Sequence, residues 1–219
     1  MPDFKAFIDI LTLEIGHGLP GWESQIKMIV PDRGKPDIDL IEKRNPRKSS
    51  VLVLLYPKEG EIFTRLILRA EYPGVHSGQV AFPGGTWEET DKSLWDTALR
   101  EANEEVGLPR EKIIKIGKLS PVYIPPSNFW VQPFIGISEA FIPSVIDSVE
   151  VQKTIDVNIQ LLMDPSVKEE KIIFHSSSKS EQKTPYYNIE GYTVWGATAM
   201  ILSELEELVR RTYNKLNKN

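Results

Sequence analysis

Three glutamates, Glu101, Glu104 and Glu105, stand at i, i+3 and i+4 in the stretch Leu99-Arg100-Glu101-Ala102-Asn103-Glu104-Glu105-Val106-Gly107-Leu108. On a helix turning about 100° per residue they fall within one arc of about 100°. Like charges at this spacing repel, each pair by about 0.2–0.5 kcal/mol, and a divalent cation removes that repulsion. Hard oxygen ligands select Mg²⁺ or Mn²⁺, and Mg²⁺ is usually held through a few carboxylates together with substrate phosphates. Each element also has an ordinary explanation. A Glu-rich helix face is usually solvated, and Arg100 has Asp96 and Glu104 at i±4 as partners. Gly107 before Leu108 and Pro109 is a common helix stop, and Gly84-Gly85 suits any tight turn. The joint spacing is what points to a metal site.

The elements that must position these side chains follow from periodicity and turn residues. The spacing predicts a helix over Asp91–Gly107, with Trp95, Leu99, Ala102 and Val106 forming an apolar stripe about 130° round from the carboxylates. That stripe docks on a sheet while the carboxylates project into a cleft. Val51–Tyr56 reads as a buried strand, Ile62–Arg69 as its hairpin partner and Gln79–Phe82 as a third strand closed by Pro83-Gly84-Gly85. Further strands are expected at Lys115–Tyr123, Phe129–Ser138, Val149–Val157, Lys171–His175 and Tyr186–Ile189. A short helix is expected at Asn158–Met163, and residues 176–184 read as a polar loop. Trp195–Leu216 is a second long helix whose Glu204, Glu206 and Glu207 precede Arg210, Arg211 and Lys215, an order that suits its dipole. Residues 4–14 form an N-terminal helix, and the Pro- and charge-rich stretch from Pro31 to Ser50, with Lys43, Arg44, Arg47 and Lys48, reads as a loop. The expected organisation is an N-terminal helical arm and loop over 1–45, then an α/β domain over 46–219. The apolar face of the first helix calls for cover, by the core or in a homodimer.

Composition narrows the function. The 219 residues carry 26 Lys and Arg against 31 Asp and Glu, a net charge of −5, which argues against a nucleic-acid-coating role. The absence of cysteine excludes disulfides, thiolate metal sites and cysteine nucleophiles. His17, His76 and His175 lie far apart and form no paired metal motif. No apolar run approaches the roughly 20 residues that span a bilayer, and no signal segment follows Met1. A cytoplasmic protein with no membrane partner is expected.

Gly85, Asp91, Arg100, Glu101, Ala102, Glu104, Glu105, Gly107 and Leu108 fill a pattern that resembles the signature of the Nudix hydrolases. Two departures, Asp91 in place of glutamate and eight residues between it and Arg100, are features of the coenzyme A pyrophosphatase subgroup. That subgroup's upstream pattern is matched by Arg69-Ala70, His76-Ser77-Gly78-Gln79 and Phe82-Pro83-Gly84-Gly85. Arg47, Glu150-Val151 and Trp195-Gly196-Ala197-Thr198-Ala199 extend the resemblance, which covers roughly residues 45–205. Gly74 stands where the pattern has an arginine and Val75 where it has a small polar residue. The cluster Lys43–Lys48, or Arg69, is then left to supply the phosphate charge.

The resemblance implies an α/β/α sandwich with a mixed sheet, and hydrolysis of a diphosphate bond in coenzyme A or a derivative to 3′,5′-ADP and 4′-phosphopantetheine. ADP-ribose or a dinucleoside polyphosphate is the alternative substrate. A catalytically silent nucleotide sensor is less in keeping with three retained glutamates. Glu101, Glu104 and Glu105 would hold Mg²⁺ or Mn²⁺, with Arg100 and Asp91 orienting their helix. Arg47, Arg69, His76, Gly84 and Gly85 would bind substrate. The general base is left open among Glu101, Glu105 and Glu150. His76 would meet the 3′-phosphate or cap the nearby strand, and Trp195 would line a substrate pocket or belong to the core.

Overall fold

In the chain's computed structural model, residues 3–30, 34–71, 77–175 and 179–218 are described. The N-terminal segment contributes α1 (Phe4–His17), α2 (Trp22–Gln25) and α3 (Ile38–Lys43). Two strands, β1 (Arg47–Lys58) and β2 (Glu61–Arg69), form a hairpin, followed by the short β3 (Val80–Ala81) and β4 (Gly84–Thr86). Next come α4 (Leu94–Val106), β5 (Ile114–Lys118), β6 (Val122–Ile124), β7 (Phe129–Ile137) and β8 (Val151–Asn158). The chain continues through β9 (Lys168–His175), β10 (Ser180–Ile189) and β11 (Tyr192–Val194) into α5 (Gly196–Leu216).

The main sheet is mixed, since β1 and β7 run parallel and the other pairs antiparallel. Its central strand reads as a nearly unbroken apolar run because both of its faces are covered. Leu52, Leu54 and Tyr56 point to the side of α4, where Ala98, Leu99, Ala102 and Val106 pack on them. Val53 and Leu55 point to the other side, against Phe7 and Leu11 of α1 and Leu202, Leu205 and Val209 of α5. The result is the three-layer sandwich that the resemblance implies, and the core covers the apolar face of α1. A second, three-stranded sheet is built by β9, β10 and β11.

One irregularity places the site. Strands β1 and β2 pair only from Leu55↔Thr64 to Lys58↔Glu61 and then diverge. In the opening, β3 joins Ile67 and Leu68 of β2, while β4 joins Ser49–Val51 of β1. Gly84 sits in the wedge at φ +150°, and a Cβ there would lie 2.3 Å from the Ser50 carbonyl oxygen. Only glycine fits so close an approach of two backbones.

Several element boundaries differ from expectation, for local reasons. The stretch read as a loop before Ser50 contains α3, capped by Asp37, whose side chain accepts from the Leu40 N–H at 3.1 Å. It also contains the first residues of β1, drawn into the sheet by β7 and β4. Helix α4 starts at Leu94 because Ser93 caps it, accepting from the Asp96 N–H at 3.2 Å. The strand expected over Lys115–Tyr123 is split into β5 and β6. The helix expected at Asn158–Met163 is only a 3-10 turn at Leu161–Met163. Strand β10 begins inside the expected polar loop, of which residues 176–178 lie outside the described residues. Glu204 and Glu206, read from sequence only for an order that suits the dipole of α5, are both buried.

Candidate active site

Helix α4 hangs on a buried ion pair. Asp91, just before the helix, accepts from Arg100 Nε at 3.0 Å and Nη2 at 3.1 Å, from Thr97 Oγ1 at 2.9 Å and from the Glu88 N–H at 3.0 Å. The Arg100 bonds lead in holding its carboxyl down, to about 2. Arg100 also donates to the Thr86 carbonyl at 2.9 Å, which locks the helix to β4. Its Nη1 lies 3.1 Å from Glu101 and 2.9 Å from Glu104. A single guanidinium thus orders the helix start, the glycine strand and two of the three carboxylates.

The glutamates occupy unlike surroundings. Glu104 is exposed, Glu101 is half-buried and Glu105 is buried. Glu105 therefore does not project into an open cleft as the helical wheel suggests. Its Oε2 accepts from the Gly84 N–H at 2.8 Å and its Oε1 pairs with Arg69 Nη1 at 3.1 Å. Burial outweighs both partners and pushes its carboxyl up to about 7. Burial likewise raises Glu101, against the pull of Arg100. A Cβ at position 85 would lie 2.4 Å from the Glu101 carboxyl carbon, so glycine there leaves this carboxylate its room.

Among the described residues no three acidic side chains enclose an ion as they stand; Arg100 and Arg69 pair with them. The donor set nonetheless suits a hard dication. It offers only carboxylate oxygens, two of them in carboxyls whose negative charge burial disfavours. Glu150 completes the acidic cluster. It is exposed, and its charge adds to the raising of both Glu101 and Glu105.

Beside the helix opens a cavity of about 650 Å³. Arg69, Gly84 and Gly85 line it, as do Ser49 and Trp195. Ser49, whose Oγ donates to the Gly85 carbonyl at 2.6 Å, lies in the stretch read as a loop and carried no signal. Nor did the wall built by Ile29, Ile124, Pro125 and His175. The Trp195 stretch was the one sequence cue to that side, and Trp195 meets His175 edge to face at 5.2 Å.

Arg47 is exposed, 3.5 Å from Thr86 Oγ1 and over the Phe129 ring at 4.3 Å. Of the basic residues considered for the phosphate, Arg69 lines the cavity and Lys43, Arg44, Arg47 and Lys48 do not. His76, with Gly74 and Val75, lies outside the described residues.

A family model described as the NUDIX domain matches residues 46–169. The chain belongs to the Nudix hydrolase family. It is 31% identical over 168 residues to an uncharacterized Nudix hydrolase, NudL, of Photorhabdus laumondii, covering 76% of this chain and 87% of that one. NudL of Salmonella paratyphi B is 35% identical over 166 residues, covering 75% and 83%. The crystal structure of the Nudix hydrolase RenU from M. smegmatis aligns with a TM-score of 0.53 at 16% identity, covering 76% of this chain and 87% of that chain; it supports the fold alone. The chain is a Nudix pyrophosphohydrolase, of a family that uses divalent metals and acts on nucleoside-diphosphate-linked substrates. No helix among the described residues is long and apolar enough to cross a membrane.

Proposed function

We propose that this Nudix enzyme hydrolyses the diphosphate bond of coenzyme A or its derivatives, releasing 3′,5′-ADP and a 4′-phosphopantetheine, with Mg²⁺ or Mn²⁺. The observation that carries the reading is the junction of two unlike environments. A carboxylate helix sits at one side of a mostly apolar cavity, with the Arg69 guanidinium on the wall between them. A diphosphate placed beside Arg69 leaves the long, weakly polar pantetheine arm to the wall of Ile29, Val122, Ile124 and Met200. The Nε of Arg69 is buried with no hydrogen-bond partner among the described residues. Such a donor favours an incoming phosphate oxygen.

Glu101, Glu104 and Glu105 would hold the cation, which when bound neutralises the diphosphate and activates water. Arg100 and Asp91 keep the carboxylates in place from behind. The Gly84 N–H fixes Glu105, and Gly85 leaves Glu101 free of steric crowding. We assign the proton acceptor to Glu150. Its carboxylate is exposed to water and makes no hydrogen bond or ion pair among the described residues, whereas Glu101 and Glu105 are committed to other partners.

Incubation with coenzyme A and Mn²⁺, followed by product analysis, tests the reading. Release of 3′,5′-ADP is the expected result. Hydrolysis of ADP-ribose with equal or higher kcat/KM would overturn it in favour of the alternative substrate class.

A further inference from the structure

The chain between β7 and β8 runs through Ser138–Glu150 without regular structure, yet it is tied down along its length. The Ile142 carbonyl accepts from Arg65 Nη1 at 2.8 Å. The Val145 and Asp147 N–H groups each donate at 3.0 Å to the last carbonyls of α4, those of Val106 and Glu105. At its far end the Glu150 carbonyl accepts from the Ala70 N–H at 2.8 Å, next to Arg69. Gly107, at φ +70°, lets Val145 approach so closely that a Cβ would lie 2.8 Å from that of Val145.

The unexpected member is Arg65. It is 1% exposed in the middle of β2, on the face that packs against α4, between Phe63 and Ile67 in the alternation of the strand. Its Nε pairs with Asp156 at 2.9 Å. Its guanidinium carbon lies 5.2 Å from the centre of the Tyr56 ring and 5.4 Å from that of Phe141. Lys58 binds the other oxygen of Asp156 at 3.2 Å and also faces Phe141. A buried ion pair adds little net stability over apolar side chains of the same volume, so stability alone does not account for a guanidinium here. Besides the Asp156 pair and the Tyr56 ring, its contacts go to Phe141 and Ile142.

We propose that Arg65 is a positioning residue. It anchors residues 139–150 as a strap and so sets where Glu150 stands against the metal-binding glutamates. The proposal rests on the assignment of Glu150 as proton acceptor, and its test separates the two. Arg65→Met, Phe141→Ala, Glu150→Gln and the double variant Arg65→Met/Glu150→Gln are compared on whichever of coenzyme A and ADP-ribose the enzyme turns over faster. Loss of the acceptor lowers kcat about 10²-fold or more. Arg65→Met lowers kcat about tenfold or more with KM nearly unchanged, as expected for a misplaced group, and adds nothing in the Glu150→Gln background. Phe141→Ala, altered at a partly exposed ring, gives a smaller loss in the same direction and carries the test if Arg65→Met does not fold. Hydrogen exchange at the Val145 and Asp147 amides is faster in Arg65→Met and Phe141→Ala, and unchanged in Glu150→Gln.

Wild-type kcat in the folded anchor variants, multiplicative losses in the double variant, or unchanged exchange would each overturn the strap. Full activity of Glu150→Gln overturns the acceptor assignment instead, whatever Arg65 does.

Discussion

Glu105 on α4 and Glu204 on α5 are both shut away from water, at 1% and 0% exposure, yet they are met in opposite ways. Glu204 gathers neutral donors from two separate stretches of chain. They are the Gly21 N–H at 3.1 Å, Gln25 Nε2 at 3.0 Å, the Ser120 N–H at 3.2 Å and Ser120 Oγ at 2.7 Å. Its negative charge is spread over fixed dipoles, and it knots the N-terminal segment to the last helix. Glu105 receives one N–H and one edge of a guanidinium, and its carboxyl rises to about 7. A carboxylate whose hydrogen bonds the fold supplies in full is structural, whereas one with fewer donors, buried beside other carboxylates, is set up for a ligand that brings positive charge.

Exchanging each charge for a neutral isostere breaks the comparison most directly. Glu105→Gln is expected to lose at least about 10²-fold in Mn²⁺-dependent turnover while its melting temperature holds or rises; unchanged turnover would remove Glu105 from the site. Glu204→Ala should do the reverse. It strands buried donors at a cost of about 2–3 kcal/mol, measured by urea unfolding, and kcat per folded molecule stays near wild type.

Proton linkage sharpens the contrast. The unfolded chain releases the Glu105 proton near 4.5 and the folded chain holds it to about 7. Stability therefore falls as pH rises across that window, by up to about 3 kcal/mol. Glu105→Gln flattens this fall, and thermal melts with Mn²⁺ should gain more at pH 8 than at pH 5. The smallest effect belongs to Glu207, one turn of α5 away, which meets Arg211 at 3.2 Å near the surface. Arg211→Ala should cost no more than about 0.5 kcal/mol in the same unfolding experiment.

The difference between the two glutamates also marks what a linear sequence conveys. Glu101, Glu104, Glu105, Arg100 and Asp91 interact within one helix and its approach, so spacing alone brings them together. Gly84 and Gly85 come with the same pattern because a Cβ would strike the β1 backbone at the first and the Glu101 carboxylate at the second. Glu204 meets partners 84 to 183 positions away, and a one-dimensional reading shows only that its charge suits the helix dipole. Helix α3 was hidden for a similar reason, its short turn lying among prolines and charges that read as loop. The anchoring of Glu150 is legible only once β2, α4 and the chain before β8 are brought together.

Part of the wall of the cavity comes from outside the segment that matches the NUDIX domain. Ile29 precedes residue 46, while His175, Trp195 and Met200 follow residue 169. On the proposed reading, part of the surface that meets the substrate then lies outside the length of polypeptide that carries the bond-breaking residues. Exchange of the flanking stretches among kindred enzymes offers a route by which appetite for one compound over another drifts while the hydrolytic engine is inherited intact.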